Sequence, residues 1–540
     1  MNALYRWFDR NILELGREMR LSYLPPLMVY MAAGVSGLTG IVGTFFIKDY
    51  LDLSAAFLAA LGFWAGIPWA LKMPIGHLVD LLWRYKSGLV YLGASLIAAS
   101  LLIMIGLIGN PEAMRAVMPA EAWFVLSVLL APVGYVMQDA VADAMTVEAV
   151  PRLDEHGQPI APETIRLMHT TMQMLGRVAI IGGTVLVALA NVVLFQGSEA
   201  LPEADKVAIY LRIYEYALII PLLSVSGVLL AALLKRREAR RLAALGHEGE
   251  AIDRLLHQPE EKTAPNWWIL GGSAVFVAVT LTVGLSGIEY GQELIFVCSF
   301  AIIGFMISRL LRELAPEAAR TLLGTVIVIF IFRAMPSSGA GSGWWMIDEL
   351  GFDQSFLSRL DLIVSTLTLA GLFLFRRFMA EKSIAQIVIF LTLAGTLLSL
   401  PIIGMYHGLH EWTASVTGGV VDARFIAIAN TALESPLGQV SMVPMLAWIA
   451  NSAPPHLKAT FFAVMASFTN LALSASQLGT KYLNQIYTVT REVRDAVSGA
   501  VKVPADYSEL GLLLLTVTVL GLLLPLAAVA LTRALGLRSA

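Results

Sequence analysis

The sequence predicts an all-α polytopic membrane protein. It is built as two six-helix bundles with an extra helix pair between them, about 14 transmembrane helices in all. Three observations carry this. First, 57% of the 540 residues are hydrophobic and 14% are charged, against about 25% charged in soluble domains. Second, apolar windows of about 18 residues recur along the whole chain, rich in Gly and Pro, and no strand-length alternation accompanies them. Third, the chain echoes itself. Phe45–Leu53 (FFIKDYLDL) and Trp344–Phe352 (WWMIDELGF) share one pattern. Each is followed by a polar step, a Phe-Leu pair (Phe57-Leu58, Phe356-Leu357) and another long apolar helix.

Taken in order, residues 1–22 read as an amphipathic helix on the cytoplasmic face, with Arg6, Arg10, Arg17 and Arg20 against acidic lipid. They lack the apolar core and cleavage site of a signal peptide. Residues 23–235 form the first bundle, with spans near 25–47, 54–76, 88–109, 121–146, 164–195 and 208–235. Residues 236–266 form a cytoplasmic linker; the KRREARR run starting at Lys235 leads into it. Residues 267–312 make an inserted two-helix hairpin turning at Glu289-Tyr290-Gly291. Residues 313–540 hold the second bundle, with spans near 321–347, 355–377, 383–404, 424–451, 459–487 and 508–532. With both termini in the cytoplasm, roughly two dozen Lys and Arg fall inside, far more than outside, as the positive-inside rule requires. Removing the hairpin would not change this topology, because a pair of spans preserves parity.

Charged residues at membrane depth are costly, so each is a candidate for function. Lys72, Gly76 and Asp80 follow the apolar run Ala55–Ala70 at a spacing that puts them on one helix face. Asp139 and Asp143 lie one turn apart, and two close carboxylates repel and lose hydration, which suits a proton carrier. They also suit a clamp for a ligand with paired N–H donors, or a structural ion pair. Arg177, with Gln173 one turn before it, is a natural partner for either acid or for an anionic substrate. Arg333 precedes Met335-Pro336-Ser337-Ser338-Gly339, a sequence that should kink or unwind its helix. Such a break is tolerated only where it lines a cavity. Arg333 there faces substrate or holds the cytoplasmic end closed. Glu434-Ser435-Pro436-Leu437-Gly438-Gln439 is a second break with an acid and an amide. Asn430, Asn470 and Gln477 read first as interhelical hydrogen-bonding residues. The lone cysteine, Cys298, excludes an intrachain disulfide and a cysteine metal site. No phosphate loop or nucleophile elbow is present, so the chain is not read as an enzyme and calls for no metal or other cofactor.

Four segments together give a family resemblance. Pro68-Trp69-x-x-Lys72 with Gly76 and Asp80 is similar to PWxxKPxxGxxxD, and Gln138–Glu148 to DVVVDxxVVE. Phe332–Ser337 through Asp348–Phe352 is similar to FxxATPS…NELGF. The PPHLKATFFA stretch ending at Ala463, with Ser474 and Leu478-Gly479, is similar to PxGxEATxFA…LG. The chain thus resembles the folate–biopterin transporter family of the major facilitator superfamily. It departs from the pattern at Pro74, one place late, and at Lys458, where the family has an acid. Its arginine-rich loop is reduced to Arg84-Tyr85-Lys86.

The resemblance implies a secondary active transporter in the cell inner membrane, moving a folate- or pterin-like organic anion by alternating access. The expected partners are that substrate, protons and the lipid bilayer, with no nucleic acid, and the expected state is a monomer. Substrate binding is assigned to Lys72, Asp139, Asp143, Arg177, Arg333, Glu434 and Gln439, and proton coupling to Asp139 and Asp143. Gating is assigned to Gly76, Asp80 and Lys458, with Asp80 facing the positive N-terminus of the helix that begins near Lys458. Two alternatives stand beside this reading: transport of an amphiphile such as a lipid, muropeptide or pigment, and a non-transporting membrane assembly factor.

Overall fold

A computed structural model of the chain describes residues 14–538 apart from 52, 71, 155–157, 199–200, 258–264, 266, 286–287, 313, 443, 446–457 and 495–500. The start of the expected N-terminal helix lies outside these residues; Glu14–Arg17 is helical. The first set of helices comprises α1 (Leu24–Val35), α2 (Gly40–Tyr50), α3 (Ala55–Ala70), α4 (Lys72–Leu81), α5 (Ser87–Gly109), α6 (Ala120–Ala149), α7 (Pro162–Leu194), α8 (Glu203–Ala217) and α9 (Ile219–Ala244). A hairpin follows: α10 (Trp267–Leu285) and α11 (Gly291–Arg312). The second set is α12 (Pro316–Arg333), α13 (Ala340–Asp348), α14 (Gln354–Leu374), α15 (Ile384–Tyr406), α16 (Ala423–Glu434), α17 (Lys458–Ile486) and α18 (Leu510–Ala534).

Among the described residues, 11 helical stretches are long and apolar enough to cross a membrane. The other expected spans also fall on helices, but polar breaks or side chains lower their hydropathy. The span near 321–347 is interrupted between Arg333 and Ala340, where Gly339 takes φ +71°, a left-handed value that glycine adopts without strain. The span near 424–451 breaks at a 3-10 turn, Ser435–Leu437, and its end lies largely outside the described residues. α17 is 29 residues long but carries Asn470, Gln477, Lys481 and Asn484. The residues expected as a linker begin inside α9, which continues to Ala244. One element has no counterpart in the sequence reading: a two-stranded antiparallel sheet, Val493–Arg494 with Val501–Val503, in the turn before α18.

Helix starts follow local chemistry. Asp353 accepts the Phe356 N–H at 2.8 Å, Asp422 accepts the Phe425 N–H at 2.8 Å, and Ser383 forms a capping box with Gln386. Small residues let backbones meet where lipid offers no hydrophobic drive. A Cβ added at Gly93 of α5 would lie 2.6 Å from the Gly134 oxygen of α6. One added at Gly34 of α1 would lie 3.0 Å from the Gly183 Cα of α7.

The two sets meet chiefly where α3 packs along α17 and α7 along α14. At the end holding the turns 51–54 and 349–353, expected to be the outer one, further bonds cross between them. Arg491 donates to the Ile47 carbonyl at 2.8 Å and stacks over Trp344, and Gln354 donates to the Tyr210 hydroxyl at 2.8 Å. The hairpin joins in here. Gln292 donates to the Ala60 carbonyl of α3 at 3.1 Å and accepts from Lys481 of α17 at 3.1 Å. Glu293 accepts from Lys481 and Tyr482 at 2.8 and 2.6 Å.

Candidate substrate and coupling site

Three helices of the first set bring charge together at membrane depth, and a fourth adds a hydroxyl. Lys72 enters from α4, one turn beyond Pro68-Trp69. Its ammonium lies 2.5 Å from Asp139 Oδ2 and 2.9 Å from Asp143 Oδ2, both on α6. The helical spacing of the two acids makes this bridge possible, since residues four apart stack on one face. Tyr30 of α1 donates its hydroxyl to Asp143 Oδ1 at 2.5 Å. Arg177 of α7 lies within electrostatic reach of Asp139 and Tyr30. The cation that forms the ion pair is therefore Lys72 rather than Arg177. The Asp139 carboxylate is 17% exposed and the Asp143 carboxylate 43%, so Asp143 is the one more open to water and protons.

One site holds two carboxylates and a single paired cation, with a second cation nearby. Adding a proton to either acid weakens its hold on Lys72 and leaves positive charge uncompensated. The cluster can thus exchange a proton for an anion's negative charge, and either carboxylate could instead accept a pair of ligand N–H donors.

The remaining candidates lie elsewhere. Arg333 ends α12 and donates through Nε to the Thr469 carbonyl of α17 at 3.2 Å. It lines a small void with Phe332, Val388, Ser441 and Met445. Glu434 ends α16 with an exposed side chain, and Gln439 follows the break beyond it. Among the described residues none of these three bonds to the Lys72 cluster. Asp80, near the end of α4, has Lys86 as a charged neighbour. Lys86 bonds Glu148 at 2.5 Å, Glu148 also pairs with Lys235 at 3.0 Å, and the Lys86 ammonium sits 4.0 Å from the Trp83 ring. Burial pulls the Lys86 pKa below the usual lysine value despite the attraction of Glu148. α4 packs against α17, but the Lys458 side chain lies outside the described residues. A Cβ at Gly76 would meet nothing within 4 Å.

Two residues join the candidates from the structure. Tyr30 gives no sequence signal beyond a lone hydroxyl in an apolar span. Asp361 does: it is a lone acid in the apolar helix α14, and its side chain is exposed. A carboxylate at such depth is costly against lipid, which favours contact with a watered path. Among the described residues no group of three His, Cys, Asp or Glu side chains could hold a metal ion.

A family model described as the BT1 family matches residues 33–535. The chain belongs to that family. A folate-biopterin transporter of Synechocystis sp. is 23% identical over 469 residues, covering 86% of this chain and 75% of that one. Folate transporter 2 of Plasmodium falciparum is 24% identical over 158 residues, 29% of this chain and 33% of its own. Among solved structures, a peptide transporter POT in complex with sulfate superposes with a TM-score of 0.59 at 15% identity, covering 96% of this chain and 94% of that one. The nucleoside transporter NupG gives 0.50 at 13% identity, covering 95% and 100%. The fold is therefore of the major facilitator type, and this family member is a multi-pass membrane transporter, not an enzyme.

Proposed function

We propose that the protein is a proton-coupled transporter of a folate- or pterin-like organic anion, working by alternating access. Its setting is the cell inner membrane, where it acts as a monomer with both termini in the cytoplasm. The observation that carries this reading is Lys72 held between Asp139 and Asp143. Protonation of one carboxylate from outside releases part of the lysine's charge, which together with the nearby Arg177 can hold a substrate carboxylate. Return of the proton to the cytoplasm restores the bridge and expels the anion. The folate and biopterin named for the relatives, together with the pairing of acids and cations, support the substrate class. Arg333, Glu434 and Gln439 would meet the substrate from the second set of helices. Asp80, Gly76 and Lys458 would gate the cytoplasmic end.

Ligand-induced thermal stabilisation of the purified protein in detergent tests the substrate class. A ligand that binds only the folded state raises the melting temperature by mass action. Folic acid or a pterin should raise it, and Arg177→Ala should abolish the shift with folic acid. A rise with lysolipid or muropeptide and none with folates or pterins would overturn the substrate assignment.

A further inference from the structure

The charge cluster lies wholly within the first set of helices, yet transport requires the second set to respond to it. One side chain of the second set reaches the turn that carries Lys72. Asn470 of α17 donates its amide N–H to the Trp69 carbonyl at 3.0 Å. That carbonyl sits between Pro68 and Pro74, each of which removes a backbone N–H donor from the helix. Pro74 cannot donate to the Ala70 carbonyl four residues before it, so the α17 bond to Trp69 falls beside a weakened turn of the helix, and Lys72 follows three residues after Trp69.

The surroundings make this contact a firm one. Asn470, Ser474, Gln477 and Lys481 recur at helical spacing, so they share one face of α17. That face lies against α3. A Cβ at Gly66 would lie 3.3 Å from Ser474 Oγ, and one at Gly62 would lie 2.7 Å from Gln477 Oε1. The adjoining face of α17 holds the broken helix of the second set. Arg333 binds the Thr469 carbonyl at 3.2 Å, next to Asn470. Ser476 donates to the Met335 carbonyl at 2.6 Å, and the Ser337 N–H donates to Thr480 at 2.9 Å. α17 therefore bonds on one side to the turn before Lys72 and on the other to the Met335–Ser337 break.

We propose that Asn470 is a positioning residue of the transport cycle: it fixes the proline-flanked turn of the opposite bundle and so sets where Lys72 meets Asp139 and Asp143. The proposal rests on reading that cluster as the coupling site. It does not depend on which anion is carried.

The test is a double-mutant cycle read without substrate. Spin labels at Val117→Cys and Val416→Cys, in a Cys298→Ser background, report separation at the end holding the 51–54 turn. Both positions are exposed, and one lies in each set of helices. Asn470→Leu keeps the side-chain volume and removes the donor. It should change the ratio of the two distance populations at least threefold, and Asn470→Gln, which keeps a donor, should restore it. With Lys72→Gln already present, Asn470→Leu should have no further effect, because the group it positions is gone. Asn470→Ala serves as a second variant if the leucine protein does not fold. The same fold-change in both backgrounds would make Asn470 a purely structural contact and overturn the proposal. So would a distribution that neither Asn470→Leu nor Asn470→Ala moves.

Discussion

At the scale of single residues, the proposed coupling depends on the partners of Lys72. Two carboxylates share one ammonium, with the Tyr30 hydroxyl as an additional donor to Asp143. Removing one member of such a cluster leaves an uncompensated charge at depth, a loss on the order of 3 kcal/mol, at the low end because Asp143 is partly open to water. Lys72→Ala should therefore lower the melting temperature, and adding Asp139→Asn should recover much of the loss by removing the charge left behind. Differential scanning of the single and double variants checks this. A double variant less stable than Lys72→Ala alone would contradict the pairing. These three residues were legible in the sequence because charges at membrane depth are scarce and helical spacing shows which of them share a face. The choice of Lys72 over Arg177 as the paired cation was not, since spacing within a helix does not say which helices are neighbours. Asp361 is as visible as Asp139, but it has no helical partner to single it out.

At the scale of elements, breaks in helices were the best-marked features. Pro336 with the following Ser-Ser-Gly foretold the interruption between α12 and α13, and Pro436 the turn after α16, because proline removes a donor and glycine accepts a left-handed φ. The small sheet before α18 left no such trace: its strands are two and three residues long, too short for alternation to register. Gating belongs to this scale. α4 packs against α17, whose first residue is Lys458, and a helix N-terminus favours a nearby negative charge. Asp80→Asn should weaken that association at the expected cytoplasmic end. The protein should fold, rest more often open to the cytoplasm, and transport more slowly. Accessibility of a cysteine placed at Gly76 to a soluble thiol reagent reports the resting state. Unchanged labelling together with wild-type uptake would remove Asp80 from the gate.

At the scale of the whole molecule, two helix sets meet along α3–α17 and α7–α14, and the hairpin α10–α11 bonds to both α3 and α17 at one end. Composition and hydropathy were enough to read an all-helical membrane fold, and the Phe45–Leu53 echo was enough to suggest two related halves. The hairpin's double attachment was not legible. Glu293 and Lys481 are separated by most of the second set in sequence, and spacing within a helix does not say which helices are neighbours. On the function proposed above, a proton gradient moves the halves through the Lys72 cluster. The most direct test is uptake of radiolabelled folic acid into proteoliposomes with an inside-alkaline pH gradient. Wild-type protein should accumulate folic acid above its external concentration. Asp139→Asn should lose that accumulation while still exchanging internal for external folic acid. Gradient-driven accumulation by Asp139→Asn at the wild-type level would contradict coupling through this carboxylate.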